Sequence, residues 1–291
     1  MNTRFNQVLE KRNKHARDKH LVFEPKWHKY TLSNDKAPYM SVTKWINSHF
    51  PGFNPDAVIK KMMAGPNWNE DNKYWGMSPN EIKKLWNDNG KKSSSAGTAL
   101  HECIEHFMNQ HLENEDGELI KVNHDLLLDS YLEDMEEDDC NIGDNSIEWN
   151  FFINYVSNHK EKTPYRTEWK VFDEDLKMAG AIDMIYENED GTLDIYDWKR
   201  VKEINKYNKF ESSISNGLSH IPHSNFWHYS LQLNTYKAII ERKYNKKVRN
   251  LCLVVFHPEA ECQNYQIVDC ADMSSEVSLL LNHRLESLNN R

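Results

Sequence analysis

The chain has 291 residues, is 38% hydrophobic with nine tryptophans, and carries a formal net charge of −9. That length and apolar content describe a globular soluble protein of one elaborated domain or two small ones. The longest apolar run, Leu251 to Phe256, is far too short to span a bilayer, and no charged-then-apolar signal opens the chain, so an intracellular protein, neither secreted nor membrane-bound, is expected. The negative charge is uneven: Glu113 to Glu148 holds −13, which leaves the remainder at +4 and allows a basic working face elsewhere. Five cysteines, Cys103, Cys140, Cys252, Cys262 and Cys270, form no C-x-x-C pair and are read as reduced and structural.

In chain order, Phe5, Val8 and Leu9 fall at helical spacing on a polar segment, read as a frayed arm. His28 to Leu32 and Tyr39 to Val42, around Ser33-Asn34-Asp35, predict a small hairpin. Trp45, Ile46 and Phe50 predict a short helix stopped by Pro51-Gly52, and Asp56 to Ala64 another. A loop with Trp68, Tyr74 and Trp75 follows. Ser78-Pro79-Asn80-Glu81 is a capping box with proline at the first helical position. Gly90 should close that helix, Lys91 to Ser95 should form a polar hinge, and a new helix should start at Ala96 with His101 and Glu105 on one face. Gly97 would let a backbone or a phosphate approach the helix start. The acidic segment is expected to be a solvated helical face away from any substrate.

Trp149, Phe152, Tyr155 and Val156 mark an amphipathic helix ended by Pro164. Three antiparallel strands should follow: Tyr165 to Phe172, Lys177 to Tyr186, and Leu193 to Lys199, the last two joined at Asp190-Gly191. Period-two alternation puts Ile182, Met184 and Tyr186 on one face, with Asp183 and Ile185 on the other. It also points Asp197 and Lys199 the same way, so that hairpin pairing brings two carboxylates and an ammonium together. Hard divalent ions prefer such oxygen ligands, and a neighbouring lysine can hold an attacking water or offset charge on a phosphate. The long polar connection from Lys199 to about Asn225 is read as mobile or substrate-contacting, with Lys202, Lys206, Lys209, His220 and His223 as phosphate contacts. Phe226 to Tyr244 is a helix with Gln232 and Tyr236 at i and i+4. Leu251 to Phe256 is a buried strand, Tyr265 to Val268 an edge strand and Ser274 to Leu288 a closing helix.

Gly97-Thr98-x-x-His101-x-x-x-Glu105, Glu168, Gly180-x-x-Asp183, Asp197-Trp198-Lys199 and Gln232-x-x-x-Tyr236 occur in the order and spacing of the RecB-type branch of the PD-(D/E)XK nucleases, which the chain resembles over about residues 93 to 257. That branch includes the nuclease domain of RecB, CRISPR-associated adaptation nucleases, and the mitochondrial genome maintenance exonuclease with its relatives in phages and large DNA viruses. The resemblance implies an α/β restriction-endonuclease-like core, a mixed sheet in αβββαβ order. The core would span 93–291, with an acidic helical insertion at about 113–148, behind a mostly helical elaboration over 1–92. It implies Mg²⁺ or Mn²⁺ held by His101, Asp183, Asp197 and the Trp198 carbonyl, with Lys199 as catalytic lysine and Glu168 in a supporting or second-metal role.

On the same grounds Gln232 and Tyr236 would position the scissile strand, Thr98, Arg200 and Lys202 would contact substrate, and Glu105 would support the site. Relatives with an iron-sulfur cluster use one upstream cysteine and a closely spaced downstream group. Here Cys252, Cys262 and Cys270 are ten and eight residues apart, so no cluster is expected. The implied function is a DNA exonuclease in replication, recombination or repair, working on single-stranded DNA or single-stranded ends, alongside replication or recombination proteins. Its place would be the cytoplasm, or a nuclear or viral replication site. An endonuclease on the same core and a catalytically silent nucleic-acid-binding protein are the alternatives. The silent one is disfavoured, because clustered charges without a metal are costly.

Overall fold

A computed structural model describes residues 7–114, 116–136 and 142–290, apart from the Lys36 side chain; Phe5 and Cys140 lie outside the described residues. The elements are α1 (Val8–Arg12), β1 (Leu21–Glu24), β2 (Lys29–Leu32), β3 (Asp35–Ser41), α2 (Val42–Asn47), α3 (Pro55–Met63), α4 (Pro79–Met108), α5 (His124–Glu136) and α6 (Ile147–Asn158), then β4 (Thr163–Asp173), β5 (Met178–Glu187), β6 (Leu193–Lys199), α7 (Asn225–Lys243), β7 (Val248–Val255), β8 (Gln266–Asp269) and α8 (Ser274–Asn289). The strands form one mixed sheet in the order β1-β2-β3-β5-β6-β7-β8, with β4 on the other edge of β5. β4, β5 and β6 are antiparallel, and β6 pairs parallel with β7 after the crossover through α7. This is the expected αβββαβ core.

Strand alternation fills both faces of that sheet. Leu193, Ile195, Leu253 and Val255 pack on one side with Leu231, Ile239 and Ile240 of α7 and with α2 and α8. Tyr196, Trp198, Val254 and Phe256 pack on the other with Leu100, Ile104 and Phe107 of α4 and Phe152 and Tyr155 of α6. Within β5 the alternation slips. Met184 and Tyr186 join the α4 side, but Ile182 joins Ile185 on the α7 side rather than sharing a face with Met184. The slip flanks Asp183. The partner strand is distorted at the same level, because Glu168, between the pairs Thr167–Met184 and Trp169–Ile182, has a left-handed φ of 45°.

The first ninety residues depart from expectation in two ways. The expected hairpin forms as β2 and β3, but it gains β1 as a third strand, and β3 joins the main sheet by parallel pairing of Met40 with Met178 and Ser41 with Ala179. The N-terminal arm is tied down rather than frayed. Leu9 is buried with its N–H donating to Asn109 Oδ1 at 3.1 Å, and the Asn13 side chain donates to the Tyr165 carbonyl at 2.7 Å. Asp18 then accepts from Arg166 Nη1 and Trp169 Nε1, both at 2.9 Å, and from the His15 N–H at 2.8 Å. Arg166 is buried, so Asp18→Ala leaves a guanidinium without its counter-charge and should cost about 3 to 5 kcal/mol, read as a lowered urea midpoint. A loss below about 1 kcal/mol would mean that the arm is dispensable.

The Gly90 stop and the Lys91–Ser95 hinge are not formed. α4 runs unbroken through both, and the expected boundary at residue 92 falls inside it. Its start is held by the Ser78–Glu81 capping box and Ile82, its end by Leu100, Ile104, Phe107 and Met108 in the core. Anchorage at both ends outweighs the roughly 1 kcal/mol by which each internal glycine disfavours a helix. Pro164 lies at the start of β4, after α6 has already ended at Asn158. Of the acidic segment, Glu113, Asp116, Glu118, Glu133 and Asp144 are exposed as expected, but Glu148 is buried and paired with Arg200 at 2.7 Å. Among the described residues no helix is long and apolar enough to cross a membrane.

Candidate active site

The site forms where the sheet opens. One edge of β5 pairs with β3 at Met178 and Ala179 and with β6 from Met184 to Glu187, leaving the stretch between them without a strand partner there. At this fork the Asp183 carboxylate takes the place of a ladder acceptor, receiving the Trp198 N–H at 3.1 Å. The Trp198 carbonyl faces His101 of α4, whose Nε2 lies 3.1 Å away. With Nε2–H donating to that carbonyl, the ring lone pair is on Nδ1, which sits 3.7 Å from Asp183 Oδ2.

His101, Glu168 and Asp183 bring one ligand atom each within 4.8 Å of one another. One imidazole and two carboxylates suit a hard divalent ion such as Mg²⁺ or Mn²⁺. Asp197 is outside that trio. It is buried next to it, and its carboxylate forms an ion pair with Lys199. Tyr229 of α7 covers the ammonium, with Lys199 Nζ 4.6 Å from the ring centre.

The electrostatics are those of crowded, buried carboxylates. Burial, then the charges of Asp183 and Glu105, push Glu168 up to about 8. Burial and the Asp183 charge push Asp197 up to about 6, against the opposing pull of Lys199. Burial alone would lower the Lys199 pKa, but Asp197 and Asp183 outweigh it and hold the ammonium charged, above the usual lysine range. Burial also raises Glu105, one helical turn beyond His101, with Lys170 acting against the shift.

The other expected residues are spread more widely. Tyr236 is buried with its hydroxyl against Gly180, where a Cβ would lie 2.6 Å from Oη, so the glycine is what lets α7 approach β5. Gln232 donates to Thr43 of α2 at 3.0 Å. Thr98 is exposed on α4, Arg200 is engaged by Glu148, and Lys202 forms an exposed pair with Glu259 at 3.1 Å. The connection after Lys199 is anchored rather than loose. Ile214 N–H and Ser213 Oγ both donate to the His49 carbonyl, and Leu218 and Ile221 are in the core. His223 pairs with Glu211 and His220 with Glu276. Tyr229 escaped the sequence reading, although it lies three residues before Gln232 and so on the same side of α7.

Residues 80–290 match the PD-(D/E)XK nuclease superfamily. The chain belongs to that superfamily. The match opens at the start of α4 and closes just past α8, so it takes in His101, Glu168, Asp183, Asp197 and Lys199, though not β3. PD-(D/E)XK nucleases generally use divalent metals such as Mg²⁺, in keeping with the donor set of His101, Glu168 and Asp183. No curated protein matches the chain. Among solved structures it is similar to a protein of Eubacterium rectale described as a "putative exonuclease", at 10% identity and a TM-score of 0.31 over 60% of this chain and 69% of that one.

Proposed function

We propose that the protein is a divalent-metal-dependent DNA exonuclease that hydrolyses phosphodiester bonds from single-stranded ends during replication, recombination or repair. The observation that carries this reading is the meeting of His101, Glu168 and Asp183 beside the buried Asp197–Lys199 pair at the fork of β5 and β6. His101, Glu168 and Asp183 would hold Mg²⁺ or Mn²⁺, with Asp197 and the Trp198 carbonyl adjoining. The bound ion would supply an acidified water and positive charge against the phosphate.

The chain's own groups do the rest. Glu168 must give up its proton for the site to load, because burial and its neighbours favour the neutral form. Lys199, kept charged by Asp197 and Asp183, donates to the attacking water or to a phosphate oxygen, and Tyr229 limits where the ammonium can swing. Gln232 and Tyr236 act from α7 by holding its approach to Gly180 and Thr43, and Thr98 lies on the exposed face of α4 toward which a strand would come. Glu105, whose charge raises the proton affinity of Glu168, supports the cluster through the negative charge it adds once a cation is bound.

The test uses end-labelled linear single-stranded DNA and a covalently closed circle of the same sequence, incubated with Mn²⁺ while product length is followed. The linear strand is expected to shorten to mononucleotides or short oligonucleotides and the circle to persist. Rapid cutting of the circle would identify an endonuclease, and binding without cutting of either form a silent nucleic-acid-binding protein.

A further inference from the structure

Three large rings are left in water on segments that lead to the cluster. Tyr207 and Phe210, on the connection that begins at Lys199, are 85% and 83% exposed, and Phe53, just before α3, is 72% exposed. Other aromatic residues near these segments are less exposed. Phe226 is buried, and Trp75, 5.7 Å from Trp68, is only 46% exposed.

The exposed rings come from two segments that meet. Lys61 of α3 reaches over Phe210, its Nζ 4.9 Å from the ring centre, and Phe53 packs on Trp86 of α4 at 6.0 Å. Because α4 is continuous, Trp86 and His101 lie on one rod about 22 Å apart at 1.5 Å rise per residue, a separation of several nucleotides. The surroundings are basic. Residues 53–98 carry seven lysines against five acids, and 200–224 carry four basic residues against two acids, in a chain of net charge −9. Aromatic faces among lysines match an anionic backbone with unpaired bases. Duplex DNA keeps its base faces within the stack and has none to offer.

We propose that Phe53, Tyr207 and Phe210 form a stacking platform for the unpaired bases of a DNA strand whose other end lies at the His101–Glu168–Asp183 cluster. The proposal rests on the nuclease reading and adds to it the substrate class, a strand with several unpaired nucleotides beyond the scissile phosphate. Charge supplies attachment without sequence preference, and the rings supply the requirement for free base faces.

The experiment measures binding of dye-labelled oligothymidylates of 4 and 16 nucleotides, and of a 16-unit abasic strand, by fluorescence anisotropy in EDTA. Wild-type protein is compared with Phe53→Ala and with Tyr207→Ala/Phe210→Ala, and cleavage of the two thymidylates is followed in Mn²⁺. Affinity for the 16-mer should fall about fivefold or more for each ring removed. The abasic strand should bind all proteins equally weakly, and turnover of the 4-mer should not change. Unchanged 16-mer affinity in the variants, or an equal loss on the abasic strand, overturns the platform. The nuclease reading fails separately: wild-type protein that cleaves neither thymidylate yet shows the ring-dependent binding keeps the platform and loses the activity.

Discussion

Replacing Asp183 by Asn is expected to lower phosphodiester hydrolysis by on the order of a thousandfold or more and to remove saturable Mn²⁺ binding. Lys199→Ala should lose turnover to a similar extent and keep the metal. The split follows from the geometry. Asp183 offers a carboxylate oxygen to the trio with His101 and Glu168, while the Lys199 ammonium pairs with Asp197 and lies over the face of Tyr229. Removing the ammonium leaves Asp197 with no cation except one that a divalent ion provides, so Mn²⁺ affinity should hold or rise in Lys199→Ala. Asp197→Asn, outside the trio, should weaken Mn²⁺ binding less than Asp183→Asn does. Calorimetric titration of Mn²⁺ into each variant, with cleavage measured on the same samples, checks the assignment. Loss of the metal in Lys199→Ala as severe as in Asp183→Asn would contradict it.

Without metal, the folded protein should lose stability as pH rises from about 7 to 9, and Glu168→Gln should remove most of that loss. Glu168 and Asp197 both have folded-state pKa values raised above those of the unfolded chain, so between the two sets of values the folded state binds more protons. Their stabilising contribution is complete below the unfolded pKa of about 4 and is lost as pH climbs through about 6 and about 8. At 1.36 kcal/mol per pH unit, Glu168 and Asp197 together are worth at most about 8 kcal/mol. Groups with depressed values act at lower pH and in the opposite sense: burial lowers His49 and His228 to about 4 and His124 to about 3, so these neutral imidazoles add stability as pH rises toward about 6.5. Arg17 pulls Glu174 down to about 2 against the effect of burial, so its contribution is present in the neutral range and is lost only in acid.

Thermal unfolding in EDTA across this pH range should therefore show a falling midpoint for wild-type protein and a flatter one for Glu168→Gln. At pH 8 the variant should be the more stable by up to about 4 kcal/mol, yet inactive. Mn²⁺ should raise the wild-type midpoint most at the alkaline end, where the carboxylates are charged. A pH-independent wild-type midpoint in EDTA would mean that the carboxylates are not crowded in solution.

Local sequence determined the parts whose chemistry is complete within a few residues. The capping box at Ser78–Glu81, the β5–β6 turn, the alternation that puts Asp197 beside Lys199, and the helical spacing of His101 and Glu105 all depend on neighbours in the chain, and each is legible there. The order of the motifs was enough to recognise the superfamily. Other features depend on partners far away in sequence. Gly90 and the serine run read as a helix break, but tertiary anchorage at Ile82 and from Leu100 to Met108 carries α4 across them. The N-terminal arm reads as polar and loose, yet it is fixed by Asp18 reaching Arg166 and Trp169, about 150 residues on.

Strict alternation would have put Ile182 with Met184. Only the fold shows the slip at Asp183, opposite the left-handed Glu168, that turns both carboxylates toward His101. The pairing of Asp197 with Lys199, rather than with the trio, was likewise decided by burial: a lysine and a carboxylate shut away from water two residues apart on one strand face neutralise each other first. Sequence determines which groups are available and which face they share. The distances at which charges compete for one another are set by how the sheet forks and which helices close over it.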